Sequence, residues 1–144
     1  MNLADNLKDL CIDRNLNIKQ LAKLVKIQDS LLYKYVNENT LPTINNLVKL
    51  SNFFNCSINF LVGLTDNKNQ NNYLATYDKK LFYPRYDKLL KENNLSHYEL
   101  CKKLGLSMSS LRNWKNGGIP YLDTLIKLSQ YFDVSIDYLI GRCD

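Results

Sequence analysis

The sequence predicts an all-α protein built from two tandem five-helix domains. Three observations predict it: an internal repeat, capping and helix-ending residues that recur in both copies, and no sustained polar–apolar alternation that would indicate strands. The segment LVKLSNFFNCSINFLVGLTD (47–66) returns as LIKLSQYFDVSIDYLIGRCD (125–144). We therefore expect domains at residues 1–66 and 82–144, separated by a linker at 67–81.

The second copy is predicted to begin with two helices. Apolar residues from Tyr86 to Leu90 give one helical face, and Asn93 follows where that helix ends. Ser96 and Glu99 have the spacing of a capping box, in which each side chain binds the backbone N–H of the other residue. Gly105 is suited to the left-handed residue that stops the second helix.

Three further helices are predicted in the same copy. Ser107 is placed to cap the third, whose Leu111 and Trp114 lie one turn apart and point inward. The other boundaries are the end of the third helix at Asn116-Gly117-Gly118, a fourth helix from Pro120 to about Phe132, and a fifth capped by Ser135.

The first copy follows the same plan with weaker signals between residues 17 and 37. Asn17 and Gln20 form a weaker capping box. Lys26 replaces the turn glycine, where a left-handed residue other than glycine costs about 1–2 kcal/mol. Gln28 replaces the capping serine, and Asp29 stands where the second copy has a methionine. The motif of this copy is therefore degenerate.

The linker has two parts. Residues 66–72 are Asn-rich and predict a flexible segment. Tyr73, Leu74, Tyr77 and Leu81 then recur with helical spacing, so they predict either a short amphipathic helix that docks on a neighbouring surface or a solvated loop.

Composition excludes several classes of function. The 144 residues carry a formal net charge of +5, which permits a polyanionic partner without requiring one.

No apolar run is long enough to span a membrane and no signal peptide is evident, so we expect a cytoplasmic protein. The four cysteines form no C-x-x-C pair and are expected to be small buried residues. With one histidine and no nucleophile–base set, we expect no catalytic, metal or cofactor site and therefore no enzyme.

Two short helices joined by a tight turn form a helix-turn-helix, whose second helix can enter the DNA major groove. The stretch from Leu95 to Gly117, with Pro120 and the L-x-K-L-S-x-x-F-x-x-S-I-x-x-L-x-G ending, resembles the Cro/lambda-repressor-type (XRE) helix-turn-helix family. The resemblance covers both copies. It implies lambda-repressor-like domains that bind specific double-stranded DNA, usually in a transcriptional repressor.

Candidate DNA-contacting residues lie mainly in the second copy. Arg112 suits guanine, Asn113 suits adenine, and Met108 can touch a thymine methyl group. The resemblance implies base-edge contacts for the whole outer face of the third helix and phosphate contacts for the start of the preceding helix. The full set is Met108, Ser109, Ser110, Arg112, Asn113, Lys115 and Asn116 on the third helix, His97 and Tyr98 at the start of the preceding helix, and Ser30, Tyr33 and Lys34 in the first copy.

The role of the first copy stays open from sequence alone. Leu31 and Tyr33 place apolar surface on the face that would meet DNA, so the copy is either a second DNA reader or a module for homodimerisation or a partner protein. For the whole chain, the alternative to a DNA-binding repressor is a protein-binding antirepressor or inhibitor that keeps the fold without the readout.

Overall fold

The computed structural model describes residues 2–68 and 73–144, and within them it contains ten α-helices, one 3-10 turn and no strand. The chain divides into two compact units, Met1–Ala75 and Thr76–Asp144. The first contains α1 (Leu3–Asp13), α2 (Ile18–Val25), α3 (Asp29–Asn37), α4 (Ile44–Phe54) and α5 (Ile58–Leu61). The second contains the 3-10 turn (Lys79–Leu81), α6 (Phe82–Glu92), α7 (His97–Leu104), α8 (Ser110–Lys115), α9 (Leu122–Phe132) and α10 (Ile136–Leu139). The predicted all-α class with tandem five-helix domains is confirmed.

Local capping explains where most helices begin. The Asn17 side chain accepts the Gln20 N–H at 2.8 Å while Gln20 Oε1 accepts the Asn17 N–H at 2.9 Å, so the weaker predicted capping box forms. Ser96 and Glu99 form the same reciprocal pair at α7. Ser135 caps α10, as its position predicted.

The turn between α2 and α3 adopts the strained backbone that the sequence predicts. Lys26 has φ 58° and ψ 45°, in the left-handed region, and Gly105 occupies the equivalent position with φ 69°. Lysines on the fourth helices support both turns, because Lys49 Nζ donates to the Lys26 carbonyl and Lys127 Nζ to the Leu104 carbonyl, each at 3.2 Å. The two turns thus share one geometry with different residues.

This pair of turns gives a stability prediction. Lys26→Gly should stabilise the first domain and Gly105→Lys should destabilise the second, each by about 0.5–1 kcal/mol, because the left-handed cost exceeds the unfolded-state entropy of glycine. No atom lies within 4 Å of a Cβ built at Gly105, so the backbone conformation is the main term there. Urea unfolding of each single variant measures the effect, and equal stabilities of Gly105→Lys and wild type would contradict it.

The third helix of the second domain is shorter than predicted. α8 starts at Ser110, not directly after Ser107, and spans six residues against nine in α3. The Ser107 hydroxyl accepts the Ser109 N–H at 3.3 Å and lies 2.7 Å from the Ser109 hydroxyl, so Met108 and Ser109 form a turn. Serine side chains that bind nearby backbone compete with helix formation, which delays the start of the helix.

Of the two alternatives for Tyr73 to Leu81, the structure shows the loop over residues 73–78, where the backbone is not helical. Asp78 has extended angles (φ −120°, ψ 104°) and its side chain accepts the Lys80 N–H, so only the 3-10 turn Lys79–Leu81 follows before α6. The central part of the predicted flexible segment, residues 69–72, lies outside the described residues.

Each domain has its own apolar core, and a polar side chain on the first helix ties it to the fifth. Asn6 Nδ2 donates to the carbonyls of Phe60 and Leu61 in the first domain. In the second domain Arg85, at the equivalent repeat position, donates to the carbonyls of Tyr138 and Cys143. Both contacts supply partners for carbonyls at or just beyond the end of a short helix.

A buried ion pair sets the second domain apart. Arg142 Nη1 donates to Asp137 Oδ1 at 2.7 Å, and both side chains are essentially inaccessible to solvent. The first domain has Leu64 and Asn59 at the two equivalent positions. Because a charged group buried without its partner is strongly destabilising, each residue of the pair needs the other.

Three of the four cysteines are buried, as the sequence predicts. Cys11, Cys56 and Cys101 are buried, Cys143 is half-buried, and all four are free thiols. Burial raises the pKa of the Cys11, Cys101 and Cys143 thiols, which keeps them protonated. No helix in the described part of the chain is long and apolar enough to cross a membrane.

Candidate nucleic-acid interface

α7 and α8 form a helix-turn-helix in the second domain, and Trp114 anchors α8 to the core. The indole is 3% exposed, and it meets the rings of Phe82, Tyr86 and His97 edge to face with centroids 5.3, 5.2 and 5.6 Å away. Edge-to-face packing is the favoured geometry for aromatic rings. The predicted inward role of Trp114 is confirmed, and the opposite face of α8 is left outward.

The outward face carries the side chains predicted to read bases. Met108 and Ser109 lie in the turn that precedes α8, and Arg112 and Asn113 lie one turn later; all four are exposed. Asn116 is exposed at the helix end, whereas Ser110 is only partly exposed. The structure thus brings the predicted base-reading residues onto one outer surface, and we call Met108, Ser109, Arg112, Asn113 and Asn116 the reading surface.

Asn113 is held by a close approach to Gly118. A Cβ built at Gly118 would lie 2.4 Å from Asn113 Nδ2, and the Gly118 N–H donates to the Asn113 carbonyl at 2.9 Å. The Asn113 amide therefore lies against the glycine backbone, where any larger residue would displace it. Glycine at this position leaves the space that the Asn113 amide occupies.

Cations flank the reading surface. Lys102 Nζ lies 5.0 Å from the ring centroid of Tyr98, whose side chain is exposed on the first turn of α7. Lys115 Nζ lies 5.9 Å from the ring of Tyr83. Such cation–π contacts orient a lysine while its charge remains in solvent. Lys103 is also exposed, so both α7 and α8 carry exposed positive charge.

His97 faces the interior of the domain. Its Nδ1 lies 2.7 Å from the Tyr86 hydroxyl, and its Nε2 lies 3.4 Å from both the Met108 carbonyl oxygen and the Cys101 sulfur. The ring is half-buried, and both nitrogens have partners inside the domain. Its contact with a DNA phosphate stays a prediction.

The first domain presents a different outer surface. Ser30, Tyr33 and Lys34 are exposed on α3, which also carries Asp29 at its start. Gln28 makes no side-chain cap, as predicted. Asp29 and two lysines lie around one open cavity, lined by Lys19, Ala22, Lys23, Ile27 and Asp29.

Two relevant positions were missed by sequence reasoning. Gly118 was read only as a helix terminator, because its close approach to Asn113 depends on the tertiary structure. Tyr121 is 86% exposed at the start of α9, where the first domain has the capping residue Thr43. In the repeat alignment Tyr121 replaces the capping residue Thr43, and this difference could have drawn attention to Tyr121 from the sequence alone.

Comparison with known proteins follows this division into repeats. A family profile described as "Helix-turn-helix" matches residues 7–61 and again residues 87–139. The chain is 32% identical over 65 residues to the uncharacterized HTH-type transcriptional regulator YobD of Bacillus subtilis, a match that covers 44% of this chain and 58% of YobD. It is 30% identical over 53 residues to the cryptic phage CTXphi transcriptional repressor RstR of Vibrio cholerae, covering 36% of this chain and 47% of RstR.

The chain therefore spans about half the length of the curated relatives that it matches. Among solved structures, a transcriptional regulator from Listeria innocua aligns with 27% identity and a TM-score of 0.41, over 70% of this chain and 84% of that one.

Proposed function

This chain belongs to the XRE-type helix-turn-helix family of transcriptional regulators, and on that premise we propose that it is a repressor that binds specific double-stranded DNA. α8 would enter the major groove and read base edges with its reading surface. The observation that carries this proposal is the exposure of Arg112 and Asn113 on α8 while Trp114 fixes the opposite face in the core.

The side chains of the reading surface match the chemistry of base edges. An arginine donates two parallel hydrogen bonds to O6 and N7 of guanine, so Arg112 would select a G·C pair. An asparagine donates to N7 and accepts from N6 of adenine, so Asn113 would select an A·T pair. Met108 offers an apolar contact to a thymine methyl group.

Phosphate contacts would fix the position of α8 in the groove. Tyr98 lies on the first turn of α7, where the helix dipole favours an anion, and its hydroxyl can donate to a phosphate oxygen. Lys102, Lys103 and Lys115 supply positive charge on the same two helices. These contacts carry no sequence information, but they contribute affinity that salt weakens.

A second DNA-reading helix in the first domain is supported by α3. It has nine residues, begins directly after the turn, and exposes Ser30, Tyr33 and Lys34. Asp29 can accept from the N4 amino group of cytosine, so the two domains would prefer different base pairs. A chain of this kind would recognise two unlike half-sites.

The competing role for the first domain is protein binding. Leu24 is 56% exposed and Tyr33 is 40% exposed, at positions where the second domain has Lys103 and Arg112. Exposed apolar side chains favour contact with protein, either a second copy of the chain or a partner. Extended to both domains, this role becomes the antirepressor alternative, in which the fold is kept without DNA readout.

Selection of binding sites from randomised duplex DNA tests the proposal. The full chain is compared with full chains that carry substitutions on the outer face of α8 or of α3. We expect an enriched motif that contains guanine and adenine. The logarithm of the binding constant should fall linearly with the logarithm of the salt concentration, with a slope of about −0.9 per phosphate neutralised. A chain that enriches no sequence, yet unfolds cooperatively, would favour the antirepressor alternative.

Gly118→Ala should weaken specific binding without unfolding the domain. The added Cβ would overlap the Asn113 amide, which is the end of an exposed side chain and can move away. Displacing the amide from adenine should cost about 1–3 kcal/mol of discrimination at that base pair. Affinities for the selected duplex and for one with that pair changed give the measurement. Discrimination equal to that of wild type would contradict the role of Gly118.

A further inference from the structure

Tyr86, His97 and Met108 form a chain of polar contacts that runs from the interior of the second domain to the start of α8. Tyr86 is fully buried on α6, and its hydroxyl oxygen lies 2.7 Å from His97 Nδ1. On the other side of the ring, His97 Nε2 lies 3.4 Å from the carbonyl oxygen of Met108. One imidazole therefore contacts both α6 and the turn that precedes α8.

The buried hydroxyl assigns the tautomer of this imidazole. A hydroxyl hydrogen enclosed by protein requires an acceptor, and Nδ1 lies at hydrogen-bonding distance from the Tyr86 oxygen. Burial raises the pKa of Tyr86 well above its ordinary value, which keeps the phenol protonated as a donor. Nδ1 then accepts, so Nε2 carries the ring hydrogen and can donate to the Met108 carbonyl.

Aromatic packing holds the ring in this orientation. The His97 centroid lies 5.9 Å from that of Tyr86 and 5.6 Å from that of Trp114, both edge to face. The Cys101 sulfur, on the next turn of α7, lies 3.4 Å from Nε2. A ring packed on three sides has a fixed direction for its N–H, and the Met108 carbonyl oxygen is the oxygen acceptor within reach of Nε2.

The Met108 carbonyl lies where the two domains differ. In the first domain, the Leu31 and Leu32 N–H groups both donate to the Gln28 carbonyl, at 3.1 and 3.3 Å, and α3 begins at Asp29. In the second domain, the Leu111 N–H lies 3.5 Å from the Met108 carbonyl and α8 begins at Ser110. By repeat position, α8 starts two residues later than α3.

The first domain also lacks the imidazole that lies next to the Met108 carbonyl in the second domain, and the thiol beside that ring. The first domain has Ile18 where the second has His97, and Ala22 where the second has Cys101. Neither can donate a side-chain hydrogen bond to a carbonyl as the imidazole does. The late start of the third helix thus occurs in the domain that carries the imidazole.

We infer that His97 is a positioning residue for the reading surface: its Nε2–H holds the Met108 carbonyl outside α8 and so sets where Met108 and Ser109 meet the major groove. This inference rests on the proposed function of α8. It gives the single histidine of the chain a role that acts through Met108 and not through a DNA phosphate.

The first measurement needs no DNA. Imidazole ¹⁵N shifts of the full chain should place a ring hydrogen on Nε2 and show Nδ1 as the acceptor from Tyr86. In His97→Ile, which copies the first domain, amide exchange at Ser110 and Leu111 should change, because the Met108 carbonyl becomes available to the helix. A ring with its hydrogen on Nδ1, or unchanged exchange in the variant, would overturn the inference.

The second measurement uses the duplex that the full chain selects from random DNA. His97→Ile should lose about tenfold in affinity for that duplex and keep its affinity for an unrelated one, since only base contacts are misplaced. His97→Gln, whose amide can donate to the same carbonyl, should recover most of the loss. Ile136→Val, a buried change in the same domain, controls for lost stability and should leave both affinities unchanged.

The outcomes separate the explanations. Equal losses on both duplexes would indicate a phosphate contact and overturn the positioning role, as would wild-type affinity of His97→Ile for the selected duplex. If no duplex is selected, the proposed function of α8 fails. The ring tautomer and the amide exchange then still decide whether His97 holds the Met108 carbonyl.

Discussion

The double variant Arg112→Ala/Asn113→Ala is expected to lose sequence-specific DNA binding while its fold stays intact. Each side chain can make a bidentate contact worth about 1–3 kcal/mol, so together they should account for about 2–6 kcal/mol of discrimination. Both side chains are exposed, and substitutions at such positions change folding stability by about 0.5 kcal/mol or less. Titration of the selected duplex and of an unrelated duplex measures the loss.

The internal repeat supplies a matched control. Tyr33→Ala/Lys34→Ala changes the equivalent positions of α3. A loss restricted to the second-domain variant would assign readout to α8. Equal losses in both variants would support two reading domains, and wild-type specificity in the Arg112→Ala/Asn113→Ala variant would exclude α8 as the reader.

Asp137→Ala is expected to destabilise the second domain strongly. It would leave the Arg142 guanidinium buried without its carboxylate, and removing one partner of a buried ion pair costs about 3–5 kcal/mol. Small domains are stable by only about 5–15 kcal/mol, so this loss is a large part of the total. Trp114 is the only tryptophan and lies in the core of this domain, so its fluorescence in urea reports the change.

The first domain again suggests the control. Asp137→Asn combined with Arg142→Leu installs the residues that it has at these positions, Asn59 and Leu64. With no uncompensated charge left, we expect the double variant to recover most of the stability. Two results would contradict the stabilising role of the ion pair. One is an Asp137→Ala variant as stable as wild type, and the other is a double variant no more stable than Asp137→Ala.

Some features of the site could be predicted because they depend on neighbours in sequence. The Ser96–Glu99 and Asn17–Gln20 capping boxes join residues three apart, and the left-handed Lys26 follows from the repeat alignment with Gly105. The inward direction of Trp114 follows from helical periodicity alone. Short-range geometry of this kind is nearly independent of the rest of the fold.

Other features depend on partners that are distant in sequence or on a competing local bond. The apolar spacing from Tyr73 allowed a helix or a loop, and the structure has a loop that ends at Asp78, the cap of the 3-10 turn. α8 starts late where the Ser107 hydroxyl accepts the Ser109 N–H and His97 Nε2 lies 3.4 Å from the Met108 carbonyl oxygen. In both places hydrophobic spacing allowed a helix, and a side chain that binds backbone lies where the helix is absent.

The sequence by itself determined the all-α class, the two repeats, the family, and the residues of α8 available for an outer face, because periodicity and capping act over a few residues. Only the tertiary structure decided that the His97 ring bridges Tyr86 and Met108, that the Asn113 amide lies against Gly118, and that Arg142 is buried against Asp137. Those contacts depend on how side chains from different helices and turns meet once the core is packed, and helical spacing along the chain carries no information about that meeting.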